Sequence, residues 1–368
     1  MINLSSTIKG GLFIKLYNSK GKRFEYEQVV DEITGEIKEF AKIEVDDDTE
    51  LAVGSRKARL QQIEHMKKLK YWENGKRKKH FAQTMPAYEE TVIGNYPSKL
   101  LDSLIRALPY MNYNGNDRIN ANDVIKLDGK IANDTSFSKL WGVSRPTAVK
   151  YITRFIEDNI WEAIRVDGFN GNAYRFKRDV FLKGSKSDKE YLSKKVVLET
   201  LAAMITYADQ ERARILSSPR NREEKLYAKR LTTFHPIAFL GALLTKTHYK
   251  SFFLVNNRFD DEIVKEEETV QEVLNSSYKK RRFKFLKKYE MWNLYSRTET
   301  KKLSSDRKLE LEACIYVLKR IGALGKWETG KNEYYIMNPS LVFASPNAKC
   351  DHDWYHFICT MFNLKNLE

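Results

Sequence analysis

Between Trp141 and Pro146 the chain reads WGVSRP, and this short stretch leaves little choice of local structure. Glycine tolerates the left-handed backbone that ends helices, serine accepts a hydrogen bond from the free amides that open one, and proline in a first turn wastes no N–H. One helix, Ser136 to Leu140, is therefore expected to stop at Trp141 and Gly142, and a second to start after Ser144. Along the second, Val149, Ile152, Phe155 and Ile156 are expected to form an apolar face, with Arg145, Thr147, Lys150, Tyr151 and Arg154 mainly on the opposite one. Downstream, EAIRVDG and NAYRFKRDVF read as two strands around the turn DGFNGN.

Helix, glycine corner, serine-capped cationic helix and basic hairpin come in the order that a winged helix-turn-helix requires. Such a recognition helix offers its N-terminal residues to base edges, which makes Arg145, Thr147 and Lys150 the expected readers, with Ser144, Tyr151 and Arg154 beside them. Arg165, Arg175, Lys177 and Arg178 would make the hairpin basic, Arg175 and Lys177 gripping the DNA backbone. The plainer reading is an amphipathic helix whose outer face is charged because surfaces are; the order of the elements weighs against it.

The plan recurs in LSSDRKLELEACIYVLKRIGALGKWETGKNEYYIMNPSLVF. Phe155, Asn159 and Trp161 correspond to Leu318, Gly322 and Leu324, and NAYRF to NEYYI, as in an internal duplication or a tandem module. In this copy Arg307, Lys308 and Tyr316 favour phosphate while Glu310 and Glu312 oppose it, so DNA contact and dimer contact both stay open.

These elements give an expected fold class of α+β, mainly helical, with tandem winged helix-turn-helix modules joined by a helical connector. The expected divisions are residues 1–90, a β-meander and basic helix; 91–186, the first winged helix; 187–290, the connector; 291–348, the second winged helix; and 349–368, a terminal helix. Strands are expected between Gly11 and Glu44, and a helix from Asp47 to Leu69 that runs into KKLKYWENGKRKKH. Asn95 to Tyr113 reads as the first domain helix, and Ser187 to Tyr249 as largely helical. In YKKRRFKFLKKYE, Lys279, Lys280, Arg281, Arg282, Lys284, Lys287 and Lys288 alternate with Tyr278, Phe283 and Phe285, which suits phosphate contact; a solvated helix face is the other reading, as it is for Lys76 to Lys79.

A net charge of +15 points to a polyanionic partner, and 42% hydrophobic with 12% aromatic residues excludes wholesale disorder. Cys314, Cys350 and Cys359 are too few for a disulfide framework, and there is no apolar run of about 18 residues, so a cytoplasmic protein without membrane contact is expected. No GxxxxGK[ST], GxGxxG, HExxH or His-x-His pattern occurs, so neither a catalytic centre nor a cofactor is expected. Cys350, His352, His356 and Cys359 are possible zinc ligands, against which WYHFICTMF reads equally as a packing helix.

DEITGEI, the region from FAQTMPAY to LIRALPYMNYNGN, the winged helix through FKRDVFLKG, and the ending YYIMNPSLVF resemble RepL-type replication initiators of Gram-positive plasmids and their phage relatives. The resemblance implies a protein that binds origin repeats on double-stranded DNA, helps to open adjacent DNA and recruits host replication proteins such as helicase or primase. Duplication sets the chain apart from single-module members and makes it similar to two-winged-helix initiators that exist as homodimer or monomer. A plasmid or phage transcription regulator, and a phage interaction protein using winged helices for protein contacts, remain open beside the initiator.

Overall fold

The computed structural model describes residues 12–17, 25–30, 37–42, 50–55, 80–114, 123–184, 194–265, 267–329, 332–343 and 351–364. The chain divides into two compact units, Met1–Lys78 and Lys79–Glu368. In the first, β1 (Leu12–Tyr17), β2 (Glu25–Val30), β3 (Ile37–Lys42) and β4 (Glu50–Ser55) form two antiparallel pairs. β2 and β3 make the hairpin expected around DEITGE, with Val30 opposite Ile37. β1 departs from a meander by pairing with β4, Leu12 opposite Ser55. The helix expected from Asp47 is thus a strand over 50–55: Leu51 and Val53 stand two apart, a spacing a strand accepts as readily, and β1 supplies the ladder. The remainder of that helix, with Lys76 to Lys79, lies outside the described residues.

The second unit is mixed α+β and mainly helical, with small antiparallel sheets. Its first half contains β5 (Phe81–Thr84), a π-turn at Tyr88–Val92, α1 (Ser98–Ala107), β6 (Lys126–Leu127), β7 (Lys130–Ile131), α2 (Asp134–Trp141), α3 (Arg145–Glu157), β8 (Trp161–Ile164), β9 (Ala173–Phe176) and β10 (Phe181–Leu182). The second half contains β11 (Lys194–Val197), α4 (Leu198–Ser217), α5 (Arg222–Arg230), α6 (Pro236–Leu244), α7 (Val270–Asn275), α8 (Lys288–Ser296), α9 (Ser305–Arg320), β12 (Leu324–Thr329), β13 (Asn332–Met337), β14 (Val342–Phe343) and α10 (His352–Leu364). Lys194 to Val197, expected to be helical, is instead a strand between β5 and β14 whose two valines are buried.

From the end of the capped helix through the hairpin, the halves repeat one another's backbone bonds. Ile160 N donates to Phe155 O (2.8 Å) as Ala323 N does to Leu318 O (2.9 Å), and Lys177 N to Ile160 O as Asn338 N to Ala323 O. Between these, Asn159 and Gly322 both take positive φ, 58° and 70°. Ile125 N donates to Tyr174 O and Leu254 N to Tyr335 O, so each hairpin receives a third segment, and Phe176 and Met337 stand opposite Trp161 and Leu324; NAYRF therefore corresponds to EYYIM, one residue on from the expected NEYYI, because the ladder and not the shared asparagine sets the register. One sheet ordered β10-β5-β11-β14 joins the halves, with Gln83 opposite Lys195 at its centre.

α1 and α6 pack together, and the approach is close. A Cβ on Gly241 would stand 2.5 Å from Ile105 Cγ1, while its carbonyl accepts from the buried Tyr88 hydroxyl at 2.9 Å. Gly241→Ala gains about 1 kcal/mol of helix propensity, yet overpacking an inflexible buried isoleucine costs about 1–3 kcal/mol. The variant is therefore expected to unfold at lower denaturant concentration; a raised midpoint would show that the helices do not meet so tightly.

Candidate nucleic-acid interface

The corner between α2 and α3 is held by local bonds. Gly142 takes φ 62°, its N–H and that of Val143 close on the end of α2, and Ser138 Oγ donates to Val143 O at 2.6 Å. Ser144 caps α3, its Oγ accepting from Thr147 N at 3.4 Å and meeting Thr147 Oγ1 at 2.9 Å, with Pro146 in the first turn. Ala148, Ile152 and Phe155 point inward, where Phe155 lies 4.9 Å from the Trp161 ring and 6.0 Å from that of Trp141. Phe137, Tyr174 and Phe176 complete this aromatic base.

The base fixes what faces outward. Arg145 and Arg154 have 68% and 57% of their side chains exposed, and Lys150 is exposed between them. Arg145 stands 3.9 Å from Asp134 and Arg154 2.7 Å from Asp158. The Arg145 contact is long, so a phosphate can displace Asp134 at small cost, whereas Asp158 is only 17% exposed and holds Arg154 more firmly. Tyr151 is half-buried against Trp141, and burial raises its hydroxyl pKa. Val149, expected inside, is 40% exposed, because Ala148 occupies the core position and turns the neighbouring residue outward. Val149 and Thr153 thus join the open face, a role the apolar character of one and the neutrality of the other disguised.

The hairpin β8–β9 corrects a second expectation. Arg175 does not face solvent: it is 7% exposed and its guanidinium pairs with Glu162 on the adjacent strand. Lys177 is half-exposed, donating to Asn159 Oδ1 at 2.9 Å, and Arg178 is half-exposed. Arg165 at the start of the turn is exposed. Arg175→Ala should therefore lower unfolding stability by about 2 kcal/mol or more and, on the expectation that this face meets duplex, leave the salt dependence of that binding unchanged. Arg165→Ala should do the reverse, moving stability by less than about 0.5 kcal/mol and reducing the slope of log K against log salt by about one. Denaturant titration with binding at several salt concentrations separates the two.

The run at Lys279 to Arg282 forms a short 3-10 turn whose charge is largely spent inside the molecule. Lys279 and Arg282 bind Glu268 at 2.9 and 2.6 Å, holding its pKa down to about 2, and Lys280 donates to Thr329 and lies 4.7 Å above the Tyr334 ring. Arg281, Lys284 and Lys287 are exposed, whereas Phe283 is buried and Phe285 packs against the same core. Lys288 faces inward to Glu312 and Glu333.

In the second half, Ser304 caps α9, and Arg307 and Lys308 are exposed in its first turns. Glu310 accepts from Tyr295. Tyr316, expected to favour phosphate, donates instead to Glu224 Oε1 at 2.7 Å. Cys350 lies outside the described residues; His356 is exposed and Cys359 half-buried on α10, which packs Trp354, Ile358 and Phe362 into the second core. Among the described residues no three His, Cys, Asp or Glu side chains are grouped to hold a metal ion, and no helix is long and apolar enough to cross a membrane. Comparison with family models, with curated proteins and with solved structures finds no match for this chain.

Proposed function

We propose that the chain is a site-specific double-stranded DNA-binding protein made of two winged helix-turn-helix modules, and that it serves a plasmid or phage in the cytoplasm as a replication initiator without catalysis of its own. One observation carries the reading: the outward face of α3 offers Arg145, Lys150 and Arg154 with Val149 and Thr153, on a helix whose opposite side is anchored in an aromatic cluster. Cations reach phosphate and guanine edges, the threonine hydroxyl can bond either base or phosphate, and the valine methyls suit a thymine methyl. The net charge of +15 supports a polyanionic partner. Resemblance to RepL-type initiators supports origin repeats as the target and host replication proteins as partners.

Duplex titration at two salt concentrations tests the reading. With three phosphate contacts, affinity should fall roughly 40-fold between 50 and 200 mM salt. Absent or salt-indifferent binding would contradict it and favour winged helices that dock protein.

A further inference from the structure

The equivalence between the halves has a consequence for α9. Ala148, Ile152 and Phe155 on α3 match Leu311, Ile315 and Leu318 on α9, and all six are buried. The outward positions Val149, Lys150, Thr153, Arg154 and Glu157 then match Glu312, Ala313, Tyr316, Val317 and Arg320. On α3 this face is open to solvent. On α9, Ala313 and Val317 are fully buried, Tyr316 is half-buried and Arg320 is paired at 3.3 Å with Glu211.

α6 packs against α9, and the end of α4 together with α5 covers Tyr316 and Arg320. Glu224, itself 1% exposed, accepts from Arg214 at 2.6 and 2.9 Å, from the Arg220 amide at 2.6 Å and from the Tyr316 hydroxyl. Asn221 also donates to Tyr316, whose ring meets that of Tyr227 at 5.8 Å. The first half has no counterpart: only the π-turn at Tyr88–Val92 stands between β5 and α1, where α4 and α5 stand between β11 and α6.

The two covering helices are fastened differently. α4 is anchored by Leu201, Met204, Ala208 and Ile215 and by the fork from Arg106 to Asp209, two bonds of 2.6 Å. α5 buries only Glu224 and Tyr227, and follows a Ser-Pro break at Ser218 and Pro219. Its hold is therefore mainly polar, the Glu224 fork to Arg214 with the Tyr316 hydroxyl and one aromatic ring, and little apolar area is lost on release.

We propose that the outward face of α9 is a second surface for double-stranded DNA, closed here by α5, with Glu224 and Glu211 taking the places of phosphates. The inference rests on the DNA-binding reading of α3. Lifting α5 frees Tyr316, between Lys308 and Arg320, and leaves Arg320 held only by Glu211 of α4, which a phosphate can replace, so that each chain contacts two groove segments instead of one.

The test compares the full chain with Glu224→Ala/Tyr227→Ala by hydroxyl-radical footprinting and salt titration on one long duplex. Removing the hold should extend the footprint by about one helical turn, roughly 10 base pairs, and steepen the salt slope by about two. Adding Lys308→Glu and Arg320→Glu should abolish the extension alone. Where the alanine pair fails to fold, Glu224→Gln/Tyr316→Phe, which keeps every buried carbon, should give the same change in weaker form. A folded variant with the parental footprint and slope overturns the inference and leaves the α3 reading intact. No duplex binding by the parent or by any variant overturns both.

Discussion

Alanine at both Arg145 and Lys150 is expected to cost the chain most of its discrimination between a preferred duplex and a scrambled one. Both cations are exposed on the outward face of α3, and Arg145 is only loosely engaged with Asp134 at 3.9 Å. A good base contact is worth about 1–3 kcal/mol, so losing two lowers specific affinity by roughly 30-fold to 10⁴-fold. Binding to scrambled duplex should fall far less, because Arg154, Arg165 and Lys177 still provide positive charge. The measurement is selection from a random-sequence duplex pool, then competition titration of the selected site. Parent and double variant selecting the same sequence with the same preference would remove these residues from base reading.

Phe155→Ala is expected to give the largest loss of stability. Phe155 is fully buried, with Tyr96 on one side at 5.9 Å and Trp161 on the other at 4.9 Å, and no flexible side chain among these rings can fill the space. Such truncations cost about 3–5 kcal/mol, which in a unit of this size lowers the melting temperature by roughly 6–20 °C. Because the same ring seats α3 on its base, specific DNA affinity should weaken even below the melting transition. Thr153→Ala, on the exposed face of the same helix, should shift stability by no more than about 0.5 kcal/mol. Calorimetry of the two variants checks the contrast; equal losses would mean that α3 is not seated through Phe155.

Local chemistry was legible where a few residues decide it alone. Gly142, Ser144 and Pro146 specify the corner, and the turn at Asn159 and Gly322 aligns the two repeats because both positions need the same unusual backbone. Choices settled by distant partners were not. Val149 and Ala148 each continue an apolar spacing with Ile152, and only the packing of the helix on its aromatic base through Phe155 decides which is inside. Arg175 looks like a phosphate ligand until Glu162 stands opposite on the paired strand. Lys194 to Val197 is strand because β5 and β14 flank it, contacts separated from it by long stretches of chain. The covering of Tyr316 by Glu224 likewise follows from how α4 and α5 cross α9, which no spacing within either segment reveals.

Photo-crosslinking from position 149 tests the role of α3 most directly. Val149 lies at the middle of the open face and is 40% exposed, so a photoreactive phenylalanine derivative there would leave the core undisturbed. The account predicts crosslinks to bound duplex concentrated at one or two base steps, and none from the same residue at Tyr207, 56% exposed on α4. Crosslinking from position 207 with none from 149, on a duplex that the protein still binds, would contradict it.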